Sequence, residues 1–154
     1  MPDDHGPTTH GGGPDPADRD RLESLAWAHA AAEADADMDA TLATLVDDPV
    51  YEFQPAGLVL SGMDRIRRYY EHFFGEFQTV ADGAELRGRW ASDDGLGLEY
   101  TVWTRDPATG QRERHDVLGI LLYGPDRLTG ERVYASDRLL GLMVGPVLEE
   151  ARPL

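Results

Sequence analysis

The chain has 154 residues, 29 acidic against 14 basic, a formal net charge of −15, and no cysteine. That charge argues against nucleic acid and anionic membrane surfaces as partners, since both would repel it. The absence of thiols excludes a disulfide framework, a cysteine nucleophile and thiolate metal sites.

A chain of this length fits one domain and buries about two-thirds of its unfolded surface. No apolar run approaches the ~18 residues of a membrane span, and the first residues lack the basic-then-apolar layout of a signal peptide. A cytoplasmic protein is expected. Residues 1–17, rich in Pro and Gly, bury too little to offset their ordering entropy and read as a disordered tail, with one domain over 18–154. His5 and His10 lie in this tail without the further ligands a metal site needs, so no metal is expected.

The spacing predicts a first helix over Asp18–Ala34, with Leu22, Leu25, Ala26, His29 and Ala32 on one stripe. His29 therefore looks inward, either as a hydrogen-bonded core histidine or as a polar group at a pocket wall. Asp35-Ala36-Asp37 breaks the helix, and Asp37 caps a second one over Met38–Val46.

The stretch DDPVYEFQPAGLVLSGMDRIRRYYEHFFGEF, Asp47 to Phe77, organises the rest. Val50, Tyr51 and Phe53 form a strand, Pro55-Ala56-Gly57 a turn, and Leu58, Val59 and Leu60 a second strand. From Asp64 the apolar residues Ile66, Tyr69, Tyr70, Phe73, Phe74 and Phe77 recur at helical spacing, and that face needs a sheet to cover it. Strand parity leaves two readings open for the first strand. Either Tyr51 and Phe53 fill the core and Glu52 lies outside, or Glu52 and Gln54 line the cavity and Glu52 is a candidate base.

Three long strands follow at Ala84–Ser92, Leu96–Arg105 and Gln111–Tyr123, joined by turns at Asp93-Asp94-Gly95 and Asp106–Gly110. Leu86, Trp90, Leu98, Tyr100 and Val102 share the parity expected to face the helices, while Arg87, Arg89 and Arg105 share the other. Beyond Asp116 the third strand is apolar on both parities, as where a partner subunit covers the back. A last strand is expected over Glu131–Asp137, with an apolar tail that docks.

His115 shares the parity of Val117 and Leu121, and Asp137 that of Val133 and Ala135. Titratable groups among apolar neighbours are candidates for an acid and a base, although a strand-end ion pair or a helix cap would account for them equally.

A strand pair feeding an aromatic-faced helix, preceded by two helices and followed by a run of strands, resembles the nuclear transport factor 2-like superfamily. Within it the chain is similar to SnoaL-type polyketide cyclases and ketosteroid isomerases, over roughly Leu22 to Val147. The resemblance implies an α+β fold, a cone-shaped, mostly antiparallel sheet wrapped around three N-terminal helices, and a homodimer.

It further implies a cofactor-independent cyclase or isomerase acting by proton abstraction on a hydrophobic polyketide-like or steroid-like carbonyl compound. The segment VYASDRLLGLMVG is similar to the strand end that carries the cyclases' aspartate base, which casts Asp137 in that role, with His115 or His29 polarising the oxygen. Against the ketosteroid isomerases, His29 stands where a tyrosine donor is kept, Phe53 or Gln54 where the base sits, and His115 or Asp116 near the second aspartate. Tyr69, Phe73, Trp90 and Tyr100 would form the substrate wall. A binding module without catalysis, or a limonene epoxide hydrolase-like enzyme with an Asp-Arg-Asp set, are the alternatives.

Overall fold

The structure is a computed structural model that describes residues 15–154, so most of the expected tail, with His5 and His10, lies outside the described residues. Helix α1 (Pro16–Ala34) begins two residues before Asp18. Asp15 accepts from the Ala17 N–H at 3.0 Å, and Pro16 takes the first position, where no N–H is required. Its buried stripe is Leu22, Ala26, His29 and Ala32. Asp37 caps α2 (Met38–Ala43) through the Ala40 N–H at 3.0 Å. This helix stops short of Val46 because Leu45 already opens a strand.

Strands β1 (Leu45–Gln54) and β2 (Leu58–Ser61) form the expected hairpin and lead into α3 (Met63–His72). The helix does not run on regularly. It widens into a π-helical turn (Phe73–Phe77) and closes with the short α4 (Gln78–Val80). Strands β3 (Ala81–Ala91), β4 (Gly95–Arg105), β5 (Arg112–Tyr123) and β6 (Leu128–Tyr134) follow. Helix α5 (Asp137–Val144), a 3₁₀ turn (Gly145–Glu150) and β7 (Arg152–Pro153) complete the chain.

The strands make one seven-stranded sheet in the order β3-β4-β5-β6-β1-β2-β7, in which β1 and β6 run parallel and the other neighbours antiparallel. The fold is α+β. No helix among the described residues is long and apolar enough to cross a membrane.

The core lies between the sheet and α1, α3 and α5. Tyr51, Phe53, Tyr69 and Tyr70 are fully buried, and with Phe73, Phe74 and Phe77 they form a chain of edge-on, tilted and, for Tyr70 on Phe74, stacked ring contacts with centroids 4.8–6.3 Å apart. Such pairs add about 0.5–1.5 kcal/mol each beyond the area they bury.

Two irregularities set which side chains face this core. The β3–β4 pairing slips by one residue between Leu86 and Gly88. Trp90, expected to face the helices, is therefore turned away and is 57% exposed, beside Glu99, Leu118 and Tyr134 on the sheet's far side. Arg89, expected on the far side, instead carries its guanidinium over the Trp27 ring of α1 at 5.8 Å. At another register shift, between Leu45 and Val50, Gly130 of β6 adopts φ +146, and the Val50 carbonyl occupies the space a Cβ would need.

Candidate functional site

Between the helices and the concave face of the sheet lies a cavity of about 420 Å³. Its wall is apolar: Tyr69, Phe73 and Phe77 from α3 and the π turn, Leu98, Tyr100 and Val102 from β4, Val117 and Leu121 from β5, Val133 from β6. Two carboxylates interrupt it, Glu33 from the last turn of α1 and Glu131 from the middle of β6. Neither was singled out in the sequence.

Glu33 is held by a buried hydrogen-bond chain. The Tyr70 hydroxyl donates to Glu33 Oε1 at 2.6 Å, and the Tyr51 hydroxyl lies 2.6 Å from that of Tyr70. His29 Nε2 is 3.0 Å from the Tyr70 hydroxyl and 3.4 Å from Glu33 Oε1. On its other side, Nδ1 is 2.6 Å from Thr44 Oγ1. Because the Thr44 hydroxyl donates to the Thr41 carbonyl at 2.7 Å, Nδ1–H is the donor to Thr44. Nε2 is thereby directed at the tyrosine and the carboxylate.

Glu131 has the opposite environment. Among the described residues its side chain takes part in no hydrogen bond or ion pair, and burial, then the Glu33 charge, pushes its carboxyl well above the ordinary carboxylate range. The room it occupies is left by Gly119 of β5, where a Cβ would collide with Glu131 Oε1. Burial, and then the two carboxylates, also push the hydroxyls of Tyr51 and Tyr69 well above their usual value, as they do that of Tyr70. These phenols stay protonated donors at neutral pH. Glu33 thus accepts a hydrogen bond from a phenol while Glu131 has none, and a difference of environment of this kind separates a base from an acid.

The SnoaL-like domain family matches residues 26–122, more than half of the chain. The chain belongs to this family. Its fold is that of the nuclear transport factor 2-like superfamily, in which several solved structures are similar to it. Bal32a from a soil-derived mobile gene cassette aligns with a TM-score of 0.63 and 15% identity, over 85% of this chain and 98% of that one. An NTF2-like protein of unknown function from Cytophaga hutchinsonii ATCC 33406 aligns with a TM-score of 0.62 and 13% identity, over 75% and 99%. A protein with a ketosteroid isomerase-like fold from Catenulispora acidiphila DSM 44928, in complex with trimethylamine, aligns with a TM-score of 0.59 and 14% identity, over 82% and 96%. No curated protein matches the sequence.

Within this SnoaL-like domain the residues singled out from the sequence scatter. Tyr69, Phe73 and Tyr100 line the cavity. His29 is fully buried and reaches the cavity only through Tyr70 and Glu33. His115 shares the face of Val117 and Leu121 but lies beyond the cavity lining, bonded through Nε2 to Thr104 Oγ1 at 2.9 Å. Glu52 is outside the cavity. Tyr51 and Phe53 take the core face, and Glu52 Oε2 accepts from Arg132 Nε at 2.6 Å.

Asp137 is exposed in the first turn of α5, because β6 ends at Tyr134 and Ser136 caps the helix through the Leu139 N–H at 3.2 Å. The parity that placed Asp137 inward therefore stops applying before it is reached. Glu131 carries that same parity within the strand. Glu33 stands four residues beyond His29, on the edge of the inner stripe of α1. Both signals were present in the sequence. The SnoaL-like match covers Glu33 and ends before Glu131.

Proposed function

We propose that the protein is an acid–base isomerase or cyclase of small hydrophobic carbonyl compounds, with Glu33 as the base and Glu131 as the acid. The observation that carries this reading is the presence of both carboxylates in one apolar cavity, the first an established hydrogen-bond acceptor and the second raised by burial. In the step, a Glu33 oxygen takes the proton from the carbon next to the carbonyl. The electron pair moves into the new C=C bond, and Glu131 gives its proton to the carbonyl oxygen. The enol then regains a proton at another carbon, which is isomerisation, or attacks a second carbonyl of the same molecule, which is ring closure. His29 and Tyr70 act through Glu33 as positioning residues.

The test is deuterium incorporation at the α-carbons of cyclohexyl methyl ketone in D₂O, followed by NMR. Wild-type protein is expected to exceed the buffer rate, and E33Q and E131Q each to lose about 10²-fold or more, the usual worth of one general acid or base. D137N serves as a control expected to match wild type. Exchange that never exceeds buffer, or that survives both substitutions, sinks the assignment.

A second reading, a binding module without turnover, is favoured by one finding: a neighbour of the same fold holds a small molecule, trimethylamine. It predicts saturable binding with no exchange. Either reading is compatible with a homodimer through the far side of the sheet. Trp90, Tyr134 and Val50 are exposed there, and Leu118 helps line a shallow hollow of about 390 Å³.

A further inference from the structure

We propose that the cavity is also a receptor for apolar ammonium ions, the protonated amine of a small tertiary amine seating against Glu33 and Glu131 and within the aromatic wall of Tyr69, Phe73, Phe77 and Tyr100. This rests on the two carboxylates sharing one cavity and not on their catalytic roles. Among the described residues that line it, none is arginine or histidine, so every charge the wall can carry is negative. Gln78 uses its amide N–H on the Glu33 carbonyl at 3.0 Å, and the nearest imidazole, His29, stands behind Glu33, its Nδ1–H donating to Thr44 and its Nε2 lying 3.0 Å from the Tyr70 hydroxyl and 3.4 Å from Glu33 Oε1.

An anion entering such a space meets like charge at low dielectric, while a neutral ligand finds only hydrophobic contact and hydrogen bonds. A cation gains an ion pair with the carboxylates, and the aromatic faces add an attraction that strengthens as water is excluded. The whole chain, at −15, draws cations toward it as well.

Glu131 links this binding to protons. Glu33 from α1, Tyr69 from α3 and Tyr100 from β4 share the cavity with it, Tyr51 is paired with it across β1 and β6, Tyr70 stands against Glu33, and each of these phenols is pushed up and keeps its proton. An ammonium beside Glu131 supplies the counter-charge that burial denies the carboxylate. The ammonium keeps its own proton, and the carboxyl proton of Glu131 leaves to the buffer.

Three probes built on the same ring separate charge from shape in isothermal titration calorimetry: N,N-dimethylcyclohexylamine as its ammonium ion, cyclohexyl methyl ketone, and cyclohexanecarboxylate. The ammonium is expected to bind about tenfold or more tighter than the ketone at neutral pH, as an ion pair of this kind affords, and the carboxylate to show no saturable binding. Ammonium affinity should rise with pH while ketone affinity does not. Titrations in two buffers of different ionisation enthalpy should show a proton released on ammonium binding and none on ketone binding.

E131Q, with its folding checked by circular dichroism, should remove both the pH dependence and the proton release. If that variant does not fold, the wild-type comparison decides alone. Equal affinities for the three probes, tighter carboxylate binding, or an ammonium preference without proton release would overturn the proposal. Those outcomes are independent of whether α-carbon exchange occurs.

Discussion

Glu131 holds a proton in the folded protein that the unfolded chain gives up at lower pH, because its folded carboxyl is raised by burial and by Glu33. A carboxyl shifted upward destabilises the fold increasingly as pH rises from the ordinary carboxylate range to its folded value. Asp116, which accepts from the Thr101 hydroxyl and then pairs with Arg114, and Asp82 and Glu150, paired with arginines on the surface, shift the other way and contribute stability that is lost as pH falls. The difference between E131Q and wild type isolates the first effect. In thermal unfolding the Gln variant is expected to gain on wild type steadily from acid to neutral pH, and a difference that stays flat with pH would show that Glu131 titrates ordinarily. Glu131 itself was readable in principle. It has the parity of Val133 and Ala135, and a strand end drawn at Asp137 instead of Tyr134 pointed to a carboxylate that lies outside the cavity. Glu33 was harder to see, because a glutamate beside an alanine-rich helix stripe looks like one more solvated charge until Tyr70 of α3 is brought against it.

At the scale of single elements, periodicity located every long helix and strand, since a 3.6 or 2-residue repeat survives whatever packs against it. What it missed are the places where one residue is added to the count. The slip between Leu86 and Gly88 exchanges the faces of Arg89 and Trp90, and the π turn at Phe73–Phe77 takes the end of α3 off the α-helical repeat. The slip does carry a local mark, Gly88 inside the strand, where a Cβ would meet the Trp90 ring. Gly130 marks a larger irregularity, where β1 advances from Leu45 to Val50 while β6 advances only from Leu128 to Gly130. Its φ of +146 and the nearby Val50 backbone predict that Gly130→Ala destabilises by about 2 kcal/mol or more, at roughly 2–4 °C of Tm per kcal/mol for a chain of this size. An unchanged melting temperature by circular dichroism would mean that β1 and β6 pair without that constraint.

For the molecule as a whole, the proposed homodimer makes a separate prediction. Wild type should sediment as a dimer and W90D/Y134D as a monomer with the same circular dichroism spectrum, because both side chains are exposed on the sheet's far side, 57% and 41% respectively. A monomeric wild type would remove the dimer and leave the cavity reading untouched. The sheet order has a different consequence. Glu33 and Glu131 come from opposite halves of the sequence, and the return of β6 to lie parallel beside β1 sets Glu131 against the core strand that holds Tyr51. A chain cut in the Asp106–Gly110 turn would leave each fragment with one carboxylate, so neither piece alone would recognise an amine or exchange a ketone proton. Activity regained on mixing them would report, without any spectroscopic label, that the two halves had found one another.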